Sequence, residues 1–155
     1  MKKGWLRAAA MLSVSVLIVN ITWYGWRAEK YSRYIQGMRP QVFYTVLDPC
    51  YYAIDEEGYD FSVAYPAYLS TTGNLCVGAP AGEDGNLFTD ALIIWPEMDG
   101  GYSYGLLLYD PQGAYQIMTD GNGNALDSSF DPVVRDHAQS VAGLFQKAKQ
   151  WWELS

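Results

Sequence analysis

A twelve-residue loop near the carboxyl end of the chain carries oxygen-bearing side chains at alternating positions. In the segment DGNGNALDSSFD, Asp120, Asn122 and Asn124 stand at positions 1, 3 and 5, and Asp131 stands at position 12. Calcium takes about six to eight oxygen ligands, which carboxylates and side-chain amides supply well. The spacing therefore predicts a calcium site formed by these four residues, and calcium is the one cofactor that the sequence suggests.

This loop resembles the calcium loops of EF-hand proteins, and more closely those of dockerins, in which an aspartate can close the loop. The resemblance covers only these twelve residues, and it implies a helix that leaves the loop at Pro132. Ala125 differs from the glycine of the family pattern, and Asp127 stands at a usually apolar position. Asp-Gly and Asn-Gly are also common turn dipeptides, so a plain turn followed by Asp131 as a helix N-cap is the alternative.

Tyrosine is abundant after residue 39, and some of these tyrosine side chains could form a binding face. Tyrosine buries a large area while it keeps a polar tip, and it is enriched at interfaces. Tyr102, Tyr104 and Tyr109 are the candidates for contact with a sugar, a peptide or a cationic partner. The alternative is that tyrosine occurs here because it favours half-buried strands.

Cys50 and Cys76 are the only cysteines of the chain. An even pair in a chain with an export-type amino terminus predicts a disulfide, which is typical of domains outside the cytoplasm. Two unpaired buried thiols are the alternative, because a sequence alone does not show whether two residues lie within bonding range.

No catalytic motif is visible, and we expect the protein not to be an enzyme. His137 is the only histidine, so a metal site with two histidine ligands is excluded within one chain. No nucleophile elbow, zinc-protease motif or phosphate-binding glycine loop is present. His137 falls beside the apolar stripe of a predicted helix, where a half-buried structural histidine is the simpler interpretation.

The residues from Ala8 to Trp26 form a run of nineteen without a charge, flanked by basic residues on both sides. A helix of this length spans the hydrocarbon core of a bilayer, about 30 Å thick. The small-residue pattern of a signal-peptidase site is missing, because Trp23 and Trp26 stand where small residues are required. We therefore predict a single-pass, uncleaved anchor that contacts membrane lipid through residues 8–26, with a juxtamembrane helix that continues to about Ile35.

The flanking charges do not fix the orientation of this anchor, since basic residues lie at both of its ends. Residues 1–39 carry a net charge of +6, whereas residues 40–155 carry −13. So acidic a domain repels phosphate backbones, which argues against nucleic acid as a partner. The cysteine pair and the acidic domain favour a cytoplasmic amino-terminal tip and a domain outside the cytoplasm, in the cell membrane.

The amino terminus also resembles that of type IV pilins and pseudopilins, which are cleaved after a glycine. Lys2, Lys3 and Gly4 precede an apolar helix and a strand-rich domain, so the resemblance covers the layout of the chain. It implies an assembly subunit. The family's glutamate falls on Ala9 of this chain, and Trp5 replaces the usual phenylalanine.

Residues 40–155 predict one small α+β domain. Apolar stretches separated by turn residues predict strands, which are Gln41–Leu47, Cys50–Ile54, Tyr59–Tyr65, Tyr68–Ser70, Leu75–Val77, Ala91–Trp95, Tyr102–Tyr109 and Ala114–Thr119. The last three form an antiparallel meander, and a C-terminal amphipathic helix after Asp131 is expected to cover the sheet. Together with the N-terminal transmembrane helix, this predicts a non-catalytic interaction or structural module of the cell envelope with a protein partner. A calcium- or ligand-binding domain is the alternative.

Overall fold

The computed structural model describes residues 2–45, 48–79 and 89–154. The chain divides into two compact units, Met1–Arg33 and Tyr34–Ser155. The first unit consists of helix α1, Lys2–Ser32. It ends three residues before the predicted end, and residues 33–37 form turns in which Gly37 adopts a φ of +79°.

Helix α1 is apolar on all sides along most of its length. Between Arg7 and Ser32 its mean hydropathy reaches 1.6, and among the described residues it alone is long and apolar enough to cross a membrane, by length and composition. Its polar side chains bond to the helix's own backbone: Ser13 Oγ donates to the Ala9 carbonyl at 3.0 Å, and Asn20 Nδ2 donates to the Val16 carbonyl at 2.8 Å. The hydrogen-bonding groups of these side chains are therefore satisfied within the helix.

The second unit is built on one antiparallel sheet. Within the described residues the sheet has seven strands, and their order in space is their order in the chain. The strands are β1 Arg39–Thr45, β2 Asp48–Glu56, β3 Tyr59–Ala64, β4 Asn74–Gly78, β5 Ala91–Pro96, β6 Tyr102–Asp110 and β7 Gly113–Thr119. The predicted meander is confirmed in β5–β7, and it extends over the whole sheet. The predicted first strand, Gln41–Leu47, is found as β1, and its residues 46 and 47 lie outside the described residues.

The predicted strand Tyr68–Ser70 is wrong. These residues form a turn in which Leu69 has a φ of +59° and the Ser70 amide donates to the Ala67 carbonyl at 2.8 Å. The left-handed conformation of Leu69 cannot continue a strand, and Pro66 just before it lacks the amide hydrogen that a ladder needs.

Buried and less buried side chains alternate along the strands, so the sheet has a core face and an outer face. In β5, Leu92 and Ile94 are fully buried, whereas their neighbours are half-buried. The apolar core-face residues of the central strands are Phe61, Val63, Leu75, Val77, Leu92, Ile94, Leu106, Leu108 and Ile117. The outer face carries smaller or half-buried side chains such as Ser62, Cys76 and Ile93, which are neighbours across the strands.

Two helices follow the sheet, α2 Asp131–Asp136 and α3 Ala138–Trp152, where the sequence predicts one. Asp131 is not the N-cap. Asp127 instead caps a short 3-10 turn, Ser128–Phe130, by accepting the Ser129 amide, and these bonds lower the pKa of Asp127. Since that turn leads directly into α2, Asp131 is already helical and its carboxylate has no capping role.

Helix α3 packs against the core face of the sheet. Its buried residues are Val141, Leu144, Phe145, Ala148 and Trp152. The Trp152 ring meets Phe61 of β3 edge-on at 5.7 Å between centroids, and the Phe145 ring lies 5.5 Å from that of Tyr104 on β6. The Trp152 indole also donates to the Tyr34 carbonyl at 3.0 Å.

Candidate functional site

The predicted calcium loop forms a turn closed by the carboxylate of Asp120. Asp120 Oδ1 accepts the amides of Asn122 at 2.8 Å and Asn124 at 2.9 Å, and Oδ2 accepts Asn124 Nδ2 at 2.9 Å. These hydrogen bonds, above all those from Asn124, hold the pKa of Asp120 below its usual range. Both carboxylate oxygens therefore stabilise the turn, which favours the turn alternative over a metal-ligand role for Asp120.

Asp131 lies outside this hydrogen-bond network. It is the first residue of α2, and with Asn122 and Asn124 it lines a cleft beside the turn, whereas Asp120 does not. Three of the four candidate ligands thus share one cleft. Among the described residues, no group of three or more histidine, cysteine, aspartate or glutamate side chains is placed to hold a metal ion.

Gly123 fixes the turn onto helix α3. Its φ is +85°, and a Cβ atom there would lie 3.0 Å from Val141 Cγ1 and 3.2 Å from Phe145 Cε2. A glycine is required both for this backbone conformation and for this close approach. A bridge between Thr119 and Ala125 ties the end of the loop to strand β7. The position of the turn beside the helices is therefore set by packing.

The cleft between this turn and the helices has a volume of about 630 Å³. Its apolar part consists of short side chains from α2 and α3, which are Val134, Ala138, Val141 and Ala142. Asp131 and Arg135 add opposite charges one helical turn apart. The arrangement offers exposed hydrogen-bonding and charged groups beside a small apolar surface, to which a small polar ligand could bind from solvent.

The three candidate tyrosines do not share one face of the sheet. Tyr102 and Tyr104 lie on the core face, where the Tyr102 hydroxyl is 3.2 Å from the Tyr34 hydroxyl. Burial raises the pKa of Tyr104. Tyr109 lies on the same regular strand, at an odd number of residues after Tyr104. Because side chains alternate between the two faces of a sheet, the Tyr109 side chain points to the outer face. Tyr102 and Tyr104 are half-buried, and the Tyr104 ring contacts Phe145 of α3.

The predicted disulfide between Cys50 and Cys76 is not formed, and both residues are free thiols. Cys50 lies on β2 and Cys76 on β4, with β3 between them. Two strand spacings amount to about 9–10 Å, which exceeds the Cα separation of about 7 Å that a disulfide tolerates. Burial, with Asp60 nearby, raises the pKa of the Cys76 thiol to about 11, and Cys50 Sγ donates to the Val42 carbonyl at 3.4 Å.

A contact that the sequence does not suggest joins Asp90 and His137. His137 Nδ1 lies 2.8 Å from Asp90 Oδ2, and Asp90 Oδ1 accepts the Tyr109 amide at 3.0 Å. The two side chains are only 17% and 10% exposed. The contact links the residue before β5 to the point where α2 gives way to α3. No spacing rule brings together residues 47 positions apart, so only the fold reveals it.

The surroundings of His137 limit what this pair could do chemically. A carboxylate that orients an imidazole is part of many acid–base sites. His137 shares an open cleft of about 440 Å³ with Tyr59, Gln139 and Ser140. Within the part of the chain that the structure describes, the Ser140 hydroxyl makes no hydrogen bond with the imidazole ring. The pair thus has an orienting carboxylate without an attached nucleophile, and it acts as a link between sheet and helix.

A second charged contact ties the β2–β3 hairpin to α3. Lys147 Nζ binds Glu57 Oε2, and it also lies 5.5 Å from the centre of the Tyr59 ring. The ammonium lowers the pKa of Glu57, and the carboxylate raises the pKa of Lys147. Both residues are at the surface, so the pair orients the hairpin more than it stabilises the domain.

Comparison of the chain with protein-family models, with curated proteins and with solved structures yields no match.

Proposed function

We propose that this protein is a single-pass membrane-anchored binding module, non-catalytic, with residues 34–155 outside the cytoplasm as part of the cell envelope. The observation that carries the proposal is the apolar surface of α1. Large apolar side chains in its middle are half or more exposed, among them Leu12 at 67% and Leu17 at 59%. A helix that is apolar all round requires an apolar environment.

The polar side chains of α1 support the same conclusion. In hydrocarbon an unsatisfied hydrogen-bonding group costs several kcal/mol, so polar residues must find partners within the helix. Ser13, Ser15 and Asn20 all donate to backbone carbonyls four residues earlier. At the carboxyl end, Lys30 lies 5.3 Å from the Trp26 ring centre, a pairing suited to the headgroup region.

With no disulfide formed, the proposed orientation rests on the acidic domain, since basic residues flank both ends of the helix. The amino-terminal tip carries Lys2, Lys3 and Arg7, and the large acidic domain follows the helix. The free thiols give no support to an oxidising compartment, but they are compatible with one. Cys50 is buried and the Cys76 thiol has a raised pKa, and such thiols react slowly with oxidants.

A binding role is supported by the cleft beside the Asp120 turn. It combines volume with charged and apolar groups, whereas the Asp90–His137 pair lacks an attached nucleophile among the described residues. A small ligand in this cleft is therefore the favoured form of the binding role. A protein partner, and an assembly subunit of pilin-like layout, remain alternatives within the same membrane-anchored proposal.

Extraction of membranes with alkaline carbonate tests the anchor. The double variant Leu12→Arg with Val16→Arg places two charges at the centre of the helix, at a cost of about 2.5–3.5 kcal/mol each. We expect it to move to the soluble fraction. The control is Trp5→Arg with Ala28→Arg, which adds the same charges near the ends of α1. Equal membrane retention of both variants, or a soluble native protein, would contradict the proposal.

Thiol labelling of intact cells tests the orientation. Gly4→Cys and Thr71→Cys place exposed thiols in the two units, and no atom lies within 4 Å of a Cβ at Gly4. A membrane-impermeant maleimide should label T71C in intact cells and G4C only after permeabilisation. The unmodified chain serves as the blank for Cys50 and Cys76. The reverse pattern would place the domain in the cytoplasm.

A further inference from the structure

We propose that the cleft between the Asp120 turn and helices α2 and α3 binds a small zwitterion, namely an aliphatic dipeptide or amino acid with free termini. The proposal rests on the binding role given above and names its ligand class. Its lining includes Asn122, Asn124, Asp131, Arg135, Ala138 and Val141.

The two charged side chains supply the recognition. Asp131 and Arg135 lie one turn apart on α2, about 6 Å along the helix axis. Among the described residues, neither side chain forms an ion pair or hydrogen bond with the other or with a third residue. A ligand with both charges can place its ammonium at Asp131 and its carboxylate at the guanidinium fork of Arg135, which binds carboxylates with two parallel hydrogen bonds.

The apolar part of the cleft determines the size of the ligand side chains. Ala138, Val141 and their neighbours have short aliphatic side chains, and among the described residues no aromatic ring lines the cleft. Sugars and aromatic ligands usually need such a ring for stacking, so methyl-sized groups fit this surface better. The cleft is open to solvent and its polar lining residues are exposed, so it admits a single amino acid as well as a dipeptide.

The turn that forms one wall is fixed before any ligand arrives. The Asp120 hydrogen bonds close it, and Gly123 holds it against Val141 and Phe145. The Asn124 amide nitrogen is already bonded to Asp120, which orients that side chain. A wall that does not have to become ordered reduces the entropic cost of binding.

Isothermal titration calorimetry of the full chain in detergent micelles tests the proposal, with L-alanyl-L-alanine and L-alanine as probes. We expect saturable binding of the dipeptide. N-acetylation or C-terminal amidation of the dipeptide should each weaken binding by about tenfold or more, because each removes one charged contact. D131N should abolish the effect of N-acetylation, and R135Q should abolish the effect of amidation. D136N removes a carboxylate from the same helix outside this cleft and should bind as the native chain does.

Three results would overturn the proposal. The first is no detectable heat with either probe at about 10 mM. The second is binding that neither D131N nor R135Q changes. The third is binding of Ca²⁺ that competes with the dipeptide and is lost in D131N, which would identify a cation site. Membrane retention of the same chain is measured independently, so each of these results leaves the anchor proposal to its own test.

Discussion

Asp90 uses its two carboxylate oxygens for different parts of the fold. One oxygen accepts the Tyr109 amide of β6, and the other contacts His137 between α2 and α3. Asp90→Ala should lower the free energy of unfolding by about 1–3 kcal/mol, since it leaves a half-buried amide and a half-buried imidazole without their partner. Urea denaturation followed by tryptophan fluorescence measures this change. D136N should change stability by less than about 0.5 kcal/mol; equal effects in both variants would show that the pair contributes nothing.

Asp120 gives the domain a pH dependence on the acid side. Hydrogen bonds lower its pKa in the folded state, so the stability that it contributes is present above its unfolded pKa, about 3.9. That contribution is lost as the pH falls through the lowered folded value. D120N has no titrating group there, so its stability should fall less than that of the native chain between neutral pH and pH of about 3. Urea denaturation at each pH measures the difference, and parallel curves would contradict the assignment.

At the level of residues, the sequence predicts local contacts better than distant ones. The turn alternative at Asp120 agrees with the observed bonds because all its partners lie within four residues. The even number of cysteines and the export-type amino terminus predict a disulfide, but neither shows that strand β3 lies between Cys50 and Cys76 and excludes the bond. The Asp90–His137 contact depends on the register of β5 and β6, which no spacing in the sequence specifies.

The turn around Gly123 shows how one residue fixes the relation between two elements. Gly123→Ala should destabilise the domain by about 2–4 kcal/mol, because a Cβ would press on Val141 and Phe145 and the left-handed backbone disfavours alanine. Gly100→Ala is the matched control. Gly100 has a φ of +93° and no atom within 4 Å of a Cβ, so this variant reports the backbone cost alone. Thermal unfolding by circular dichroism measures both; equal losses would show that the Gly123 contact with α3 is unimportant.

At the level of elements, the pattern of apolar residues and turn residues predicts the strands of the meander, and the structure confirms them. The apolar run in β5 and the turns on either side of β6 predict the meander because buried strands and tight turns have strong local signals. The caps are less predictable. Asp127 and Asp131 are both suitable N-caps by residue type, and the structure gives this role to Asp127 because a 3-10 turn precedes α2.

The chain as a whole combines an uncharged helix with a strongly acidic domain. The charges are divided so unevenly that residues 40–155 carry −13 while the preceding residues carry +6. The sequence alone predicts this uneven distribution of charge, since the charged residues of each segment can be counted without a structure. What composition does not predict is which carboxylates are engaged. The carboxylates of Asp90, Asp120 and Glu57 have hydrogen-bond or ion-pair partners that offset part of their repulsion with the other carboxylates. The remaining exposed carboxylates keep their mutual repulsion.

Repulsion among the exposed carboxylates should make the stability of the acidic domain depend on salt. Net charge far from zero disfavours the compact state, and added ions screen that repulsion. We expect the Tm of the full chain in neutral detergent to rise by about 2–4 °C between low salt and about 0.5 M NaCl. The double variant Asp55→Asn with Asp136→Asn removes two exposed charges and should show a smaller rise. A Tm that falls with salt in both proteins would mean that attractive pairs such as Glu57–Lys147 dominate the electrostatics of the domain.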